Sequence, residues 1–188
     1  MRIPFSNRRR PAIPLRLGAA ILVLSMALAP AGCRRHKRVT VLTTEEAPAL
    51  ASVVATADPH VASQLVSGFY GVEQNAWRWT AGRFSVLLRP PRAAATNGAI
   101  LQLKLAVPEV ALAKLKSLSL SAYVNGTALA PETYSQAGQF VYSRDVPASL
   151  LAGDVARVDF SLDKTIPPTA ADRRELGVVV SMIGFQPK

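Results

Sequence analysis

From Leu118 to Val124 the chain alternates apolar with polar residues, and it then turns within two positions. Leu118, Leu120 and Val124 interleave with Ser119, Ser121 and Tyr123, and Asn125-Gly126 follows before Thr127 to Leu129. A period of two places every apolar side chain on one face of a strand, and Asn-Gly between such runs signals a tight hairpin. A chain with this pattern has to bury a sheet face rather than a helix stripe. The pattern recurs. Leu101, Leu103 and Leu105 interleave with Gln102 and Lys104, and Val158, Phe160 and Leu162 oppose Arg157, Asp159, Ser161 and Asp163. Further strands are predicted over Arg83–Leu88, Gln139–Asp145 and Gly177–Phe185, the last apolar on both faces as a central strand would be. A helix is predicted near Val110–Lys116, and a helical turn near Pro147–Leu151. Short strands separated by turns predict an all-β fold, a single antiparallel β-sandwich over residues 68–188. Roughly 120 residues suffice to bury one core without disulfides.

None is available in any case, because Cys33 is the only cysteine. Its surroundings read as an export signal. Arg2, Arg8, Arg9, Arg10 and Arg16 precede an apolar run of 13 residues, Leu17 to Ala29, and small Ala31 and Gly32 come before the cysteine. Thirteen residues make a helix of about 20 Å, short of the roughly 30 Å of a hydrocarbon core. The run therefore suits a signal peptide, residues 1–32, better than a membrane span. Pro11 and Ala12 stand where a twin-arginine signal requires apolar bulk. Leu28 to Cys33 resembles the lipobox of bacterial lipoproteins, with Pro30 in the place that Leu usually holds. Ala29-Pro30-Ala31 equally forms an ordinary signal-peptidase site that would cut before Gly32. An unpaired thiol is a liability in an oxidising compartment, and acylation accounts for one cysteine at this position. The expectation is a lipid anchor at Cys33 and a location in the cell envelope. Arg34 rather than Asp after the cysteine points to the periplasmic face of the outer membrane.

The formal net charge of +10 is not spread evenly. Residues 1–32 hold +5, and Arg34, Arg35, Lys37 and Arg38 add +4. Residues 39–188 carry thirteen basic against twelve acidic side chains. A nucleic-acid binder should carry its basic patch on the folded domain, and this domain is nearly neutral. The cluster after Cys33 suits anionic headgroups beside a lipid anchor, or is simply solvated.

Residues 33–67 are read as tether and linker. Val39–Thr44 could form a strand and Ala47–Ala57 a weak helix. His60, after Asp58-Pro59, is read as a turn residue. No second His or Cys in the domain could complete a zinc site with it, so no metal or cofactor is expected. Catalytic signatures are missing too. Asp159 and Asp163 share a strand face about 13 Å apart, wider than the roughly 5–9.5 Å of glycosidase carboxylate pairs. There is no G-x-S-x-G elbow and no Gly-rich phosphate loop.

The residues that stand out are Tyr70, Glu73, Trp77, Arg78 and Trp79, and both tryptophans of the chain lie in this run. In a strand Trp77 and Trp79 share one face and Arg78 takes the other. The rings are either a sugar platform, with Glu73 and Arg78 supplying hydrogen bonds, or part of the core. Asp172-Arg173-Arg174-Glu175 before the last strand reads as a salt-bridged turn that could pair with Glu73 or Arg78 if the loops converge.

Gly68-Phe69-Tyr70-Gly71-Val72-Glu73 and Trp77-Arg78-Trp79-Thr80, with the Asn125-Gly126 hairpin and the Asp172–Gly177 entry to the last strand, resemble β-sandwich modules of bacterial surface-polysaccharide proteins, some attached to glycosyltransferases. The resemblance implies a jelly-roll-like accessory domain without catalysis of its own, in a glycan context. The expectation is an envelope-anchored, non-catalytic lipoprotein that binds a glycan. The alternative is a structural lipoprotein that contacts an envelope protein.

Overall fold

The computed structural model describes residues 49–188. Cys33, the signal-like segment, the basic cluster after it and the candidate strand Val39–Thr44 lie outside the described residues. Among the described residues the strands are β1 (Val53–Ala55), β2 (Leu65–Glu73), β3 (Trp77–Leu88), β4 (Ala99–Val107), β5 (Leu118–Val124), β6 (Thr127–Ala128), β7 (Glu132–Tyr134), β8 (Gly138–Val146), β9 (Ala156–Leu162) and β10 (Val179–Pro187). Two short helices, α1 (Ala94–Asn97) and α2 (Glu109–Leu115), and 3₁₀ turns at Pro59–Gln64 and Ala148–Leu150 connect them. The chain is all-β, and every strand pair is antiparallel.

The long strand β3 organises the sheet. Its second half, Arg83–Leu88, pairs with β9, and β9 pairs with β5. Its first half meets β10 at Trp79↔Val179 and Arg78↔Val180, and β10 pairs with β4, which pairs with β8. One strand thus serves two groups of strands, and the sheet curls about it into two layers. The apolar sides of the alternating strands fill the space between. Phe84 stacks on Phe160 with centroids 4.8 Å apart, and Phe69 meets Phe84 edge-on at 5.4 Å. Leu101, Leu103, Leu118, Leu120 and Ile183 are fully buried around them. β10 has neighbours on both edges, as a central strand does, while Val179 and Ser181 on its outer side border an open groove.

Gly68 lets β2 lie close against β3. It has φ +76°, and a Cβ there would stand 2.0 Å from the Arg83 carbonyl oxygen. The hairpin at Asn125-Gly126 has φ values of 48° and 83° and joins Val124 directly to Thr127, the primed turn that the dipeptide favours.

The fold begins before Gly68. Val53–Ala55 pairs with Gly184–Met182 of β10, and the Val54 side chain is fully buried. Gln64, also buried, donates to the Ala51 and Leu87 carbonyl oxygens and accepts from the Ala51 amide. The stretch read as linker therefore supplies an edge strand and a clamp. The weak helix expected over Ala47–Ala57 gives way to β1, since β-branched Val53 and Val54 suit the edge of β10 that β3 leaves open. His60 sits in the 3₁₀ turn, its amide capped by the Asp58 carboxylate at 2.8 Å.

Candidate functional site

Alternation along β3 decides where its aromatic residues go. Phe84, Val86 and Leu88 enter the core, so the odd-numbered Trp77 and Trp79 project from the outer face of the β3–β10–β4–β8 layer. Both rings are half-buried, and neither belongs to the core. They pack edge to face, with centroids 6.4 Å apart and planes at 79°. Trp79 thus supports Trp77 in one orientation.

Cross-strand register assembles the rest of the face. Trp79 lies opposite Val179, Val179 opposite Ala106, and Ala106 opposite Gln139. In the next row Lys104 lies opposite Val141, and Ser181 follows along β10. Of these, Val179, Ala106, Gln139, Lys104, Val141 and Ser181 border a groove of about 390 Å³ with Trp77 and Ala76 at its β3 side, and Trp79 stands outside its lining. The floor is apolar at Val179 and Ala106. Lys104, Gln139 and Ser181 bring polar groups to it, and Val141 on β8 is 50% exposed. This mixture of one presented ring, an apolar floor and a few polar ends can hold a flat amphipathic ligand.

Four of the five side chains singled out by sequence come to one end of this face. Glu73 is the direct cross-strand partner of Trp77. Its carboxylate accepts from Arg174 Nη1 at 2.8 Å, Arg174 also grips Asp172 at 2.8 Å, and its guanidinium lies 5.4 Å from the centre of the Tyr70 ring. The Tyr70 hydroxyl donates to the Glu175 carbonyl oxygen. Hydrogen bonds from the Arg174 side chain and backbone amide hold the Asp172 carboxyl below the usual carboxylate range. Bonds to Asp172 and Glu73 in turn raise the Arg174 guanidinium well above its ordinary value. The loop before β10 and the end of β2 do converge, and Tyr70 and Glu73 are engaged in bracing them.

Arg78 goes the other way. It projects from the opposite side of β3, where Nε donates to the Thr56 carbonyl oxygen at 2.6 Å and Nη1 to that of Tyr70 at 2.8 Å. Its reach ties β1 and β2 to β3 rather than serving the groove, because alternation separates it from Trp77 and Trp79. The groove residues that sequence reasoning missed are Lys104, Ala106, Gln139, Val141, Val179 and Ser181. Their outward parity was readable, but not which strands would lie side by side.

Asp159 pairs with Arg157 at 2.8 Å, and Asp163 accepts from the Ser119 amide, so each has a local partner. Among the described residues no three His, Cys, Asp or Glu side chains converge as a metal site would need, and no helix is long and apolar enough to cross a membrane.

No family model matches the chain, and no significant sequence match among characterised proteins was found. Several solved structures are similar in part. An acetyl xylan esterase (Est2A) from the rumen bacterium Butyrivibrio proteoclasticus matches 74% of this chain at 11% identity with a TM-score of 0.42; the chain spans 34% of its length. A CBM4 structure matches 72% of this chain and 85% of its own at 13% identity, TM-score 0.37. The CBM51-2 and INT domains of Clostridium perfringens ZmpB, in complex with GlcNAc, match 72% of this chain and 28% of their own at 12% identity, TM-score 0.34. At such identities and scores none of them assigns a ligand to this chain.

Proposed function

We propose that this protein is an envelope lipoprotein whose β-sandwich binds a glycan without transforming it. Cys33 carries the lipid, the Arg34–Arg38 cluster lies at the membrane surface, and the folded domain stands clear of both nucleic acid and catalysis. The observation that carries the reading is Trp77, half-buried at the side of an open groove, held edge-on by Trp79 and faced by Lys104, Gln139 and Ser181. An aromatic ring offers its face to the apolar side of a pyranose, while amide, ammonium and hydroxyl groups reach the sugar hydroxyls. Glu73 and Tyr70 act beside the ring by fixing Arg174, and Arg78 acts structurally.

The test is a glycan panel with the wild type, Trp77→Ala and Gln139→Ala. Binding should be lost or weakened in both variants with the fold retained: Gln139→Ala should melt near the wild type, and Trp77→Ala should melt cooperatively, lower by the several degrees that about 1–2 kcal/mol represents. If both variants bind every glycan as the wild type does, the groove reading fails. The exposed Val141 on the β8 side of the groove would also suit a protein partner, and capture of an envelope protein that is lost in Val141→Asp but insensitive to glycans would favour that scaffold reading. The anchor is tested separately. Wild-type protein should incorporate labelled fatty acid and partition into detergent, and Cys33→Ser should be soluble. A mature N-terminus at Gly32 would overturn the lipid anchor in favour of ordinary secretion.

A further inference from the structure

The outer face of the other layer, formed by β2, β3, β9 and β5, has different chemistry. Ser67 lies opposite Ser85, Ser85 opposite Asp159, and Asp159 opposite Tyr123, so one row crosses four strands. Arg83 and Ser161 face each other in the next row. Ser67, Arg83, Tyr123, Asp159 and Ser161, with Arg157, border a second groove of about 460 Å³, while Ser85 is buried.

Part of this groove is already set. Arg157 Nε and Nη2 reach the Asp159 carboxylate at 2.9 and 2.8 Å, and Nη2 also donates to Ser85 Oγ at 3.2 Å. Ser85, only 2% exposed, shares a hydrogen bond of 2.8 Å with Ser67. Asp159 neutralises Arg157. Arg83 forms no ion pair among the described residues; the side chains lining the groove sum to one positive charge, and Glu175, which borders the adjoining pocket with Arg83, spends its carboxylate on Thr165. Tyr123, 36% exposed, is the aromatic ring that the groove presents.

We infer that this groove is a second saccharide site, and that it takes a sugar bearing a carboxylate. The planar Arg83 guanidinium has five donors and no acceptor, in a fork that fits a carboxylate with two bonds. Ser67 and Ser161 hydroxyls can serve sugar hydroxyls in either sense, and the Tyr123 ring can take the apolar face. A single free cation beside the Asp159 carboxylate suits a monoanion. A phosphate dianion would face the carboxylate with too little compensating charge. The inference rests on the glycan reading for its ligand class alone, since the two grooves share no residue.

The experiment uses the full-length protein with short oligogalacturonates and oligoglucuronates, and with their methyl esters as neutral counterparts. The free acids should bind at least tenfold tighter than the esters. Arg83→Gln should weaken acid binding by about tenfold to a hundredfold, the worth of a charge-assisted hydrogen bond, and leave the esters unchanged. Raising salt should weaken the acids selectively, and Trp77→Ala should leave acid binding intact. Equal affinity for acid and ester, or indifference to Arg83→Gln, would overturn the second site. So would loss of acid binding in Trp77→Ala, which would place the sugar in the aromatic groove. Neutral glycans bound at Trp77 with no acid binding at Arg83 would sink this inference and leave the proposed function standing. Acid binding at Arg83 with every glycan indifferent to Trp77→Ala would keep the second site and sink the aromatic groove as a glycan site.

Discussion

The two ends of β3 carry large aromatic residues on opposite sides of the strand. At one end Phe84 is 1% exposed, sandwiched by stacking on Phe160 and edge contact with Phe69. At the other, Trp77 and Trp79 stand half-buried on the outer face and rest on each other. The residue types are similar and the backbone is one continuous strand. What differs is parity, even at Phe84 and odd at the tryptophans, and that alone separates core from candidate site. A large aromatic side chain is therefore no evidence of burial until its register is known.

This contrast can be broken at several strengths. The largest effect should come from a chain that starts at Gly68, which loses β1, whose following residue Thr56 is held by Arg78 at the tryptophan end of β3, and the Gln64 clamp on Leu87 at the other end. Its deficit should approach the whole stability of a small domain, ~5 kcal/mol or more. Circular dichroism should then show no cooperative melt, and an unchanged melt would show that the tryptophan half stands without its edge strand. Next, Phe84→Ala should cost about 3–5 kcal/mol, as large-to-small changes in a packed core do. Trp77→Ala should cost less, about 1–2 kcal/mol for a half-buried ring. Equal costs by denaturant unfolding would erase the distinction between the two ends.

Arg78→Ala sharpens the same comparison from the side facing away from the groove. It leaves the Thr56 and Tyr70 carbonyl oxygens without their donor and should cost about 1–3 kcal/mol, with glycan affinity retained in the folded protein. Loss of affinity at unchanged stability would put Arg78 back in the site. The smallest effect concerns the brace beside Trp77. Arg174 holds the Asp172 carboxyl below its ordinary value. Asp172 therefore stabilises the fold fully above the ordinary carboxylate pKa of about 3.9, and this contribution is lost as pH falls through its lowered value. The pair is exposed, so solvent screens it. The melting temperature of Asp172→Asn should fall slightly below wild type at neutral pH and converge with it in strong acid. A gap that widens on acidification would contradict this assignment.

Much of the local structure was legible. β5 runs over Leu118–Val124 as its alternation predicts, and Asn125-Gly126 turns it directly into β6. The outward parity of Trp77 and Trp79 follows from extending Phe84, Val86 and Leu88 backwards by twos. Period and turn chemistry are properties of neighbouring residues, and sterics enforce them wherever the strand ends up. The rest depended on pairings between distant parts of the chain. Val54 belongs to the core because β10, more than a hundred residues later, leaves an edge open to it. Arg174 reaches Glu73 across 101 positions. Lys104, Gln139 and Ser181 meet Trp77 because β10, β4 and β8 lie side by side in that order. Along the regularly alternating strands, the sequence by itself determined which side chains share a face. Only the tertiary structure decided which faces meet, because lateral strand order is set by burying the sheet as a whole and no local rule encodes it.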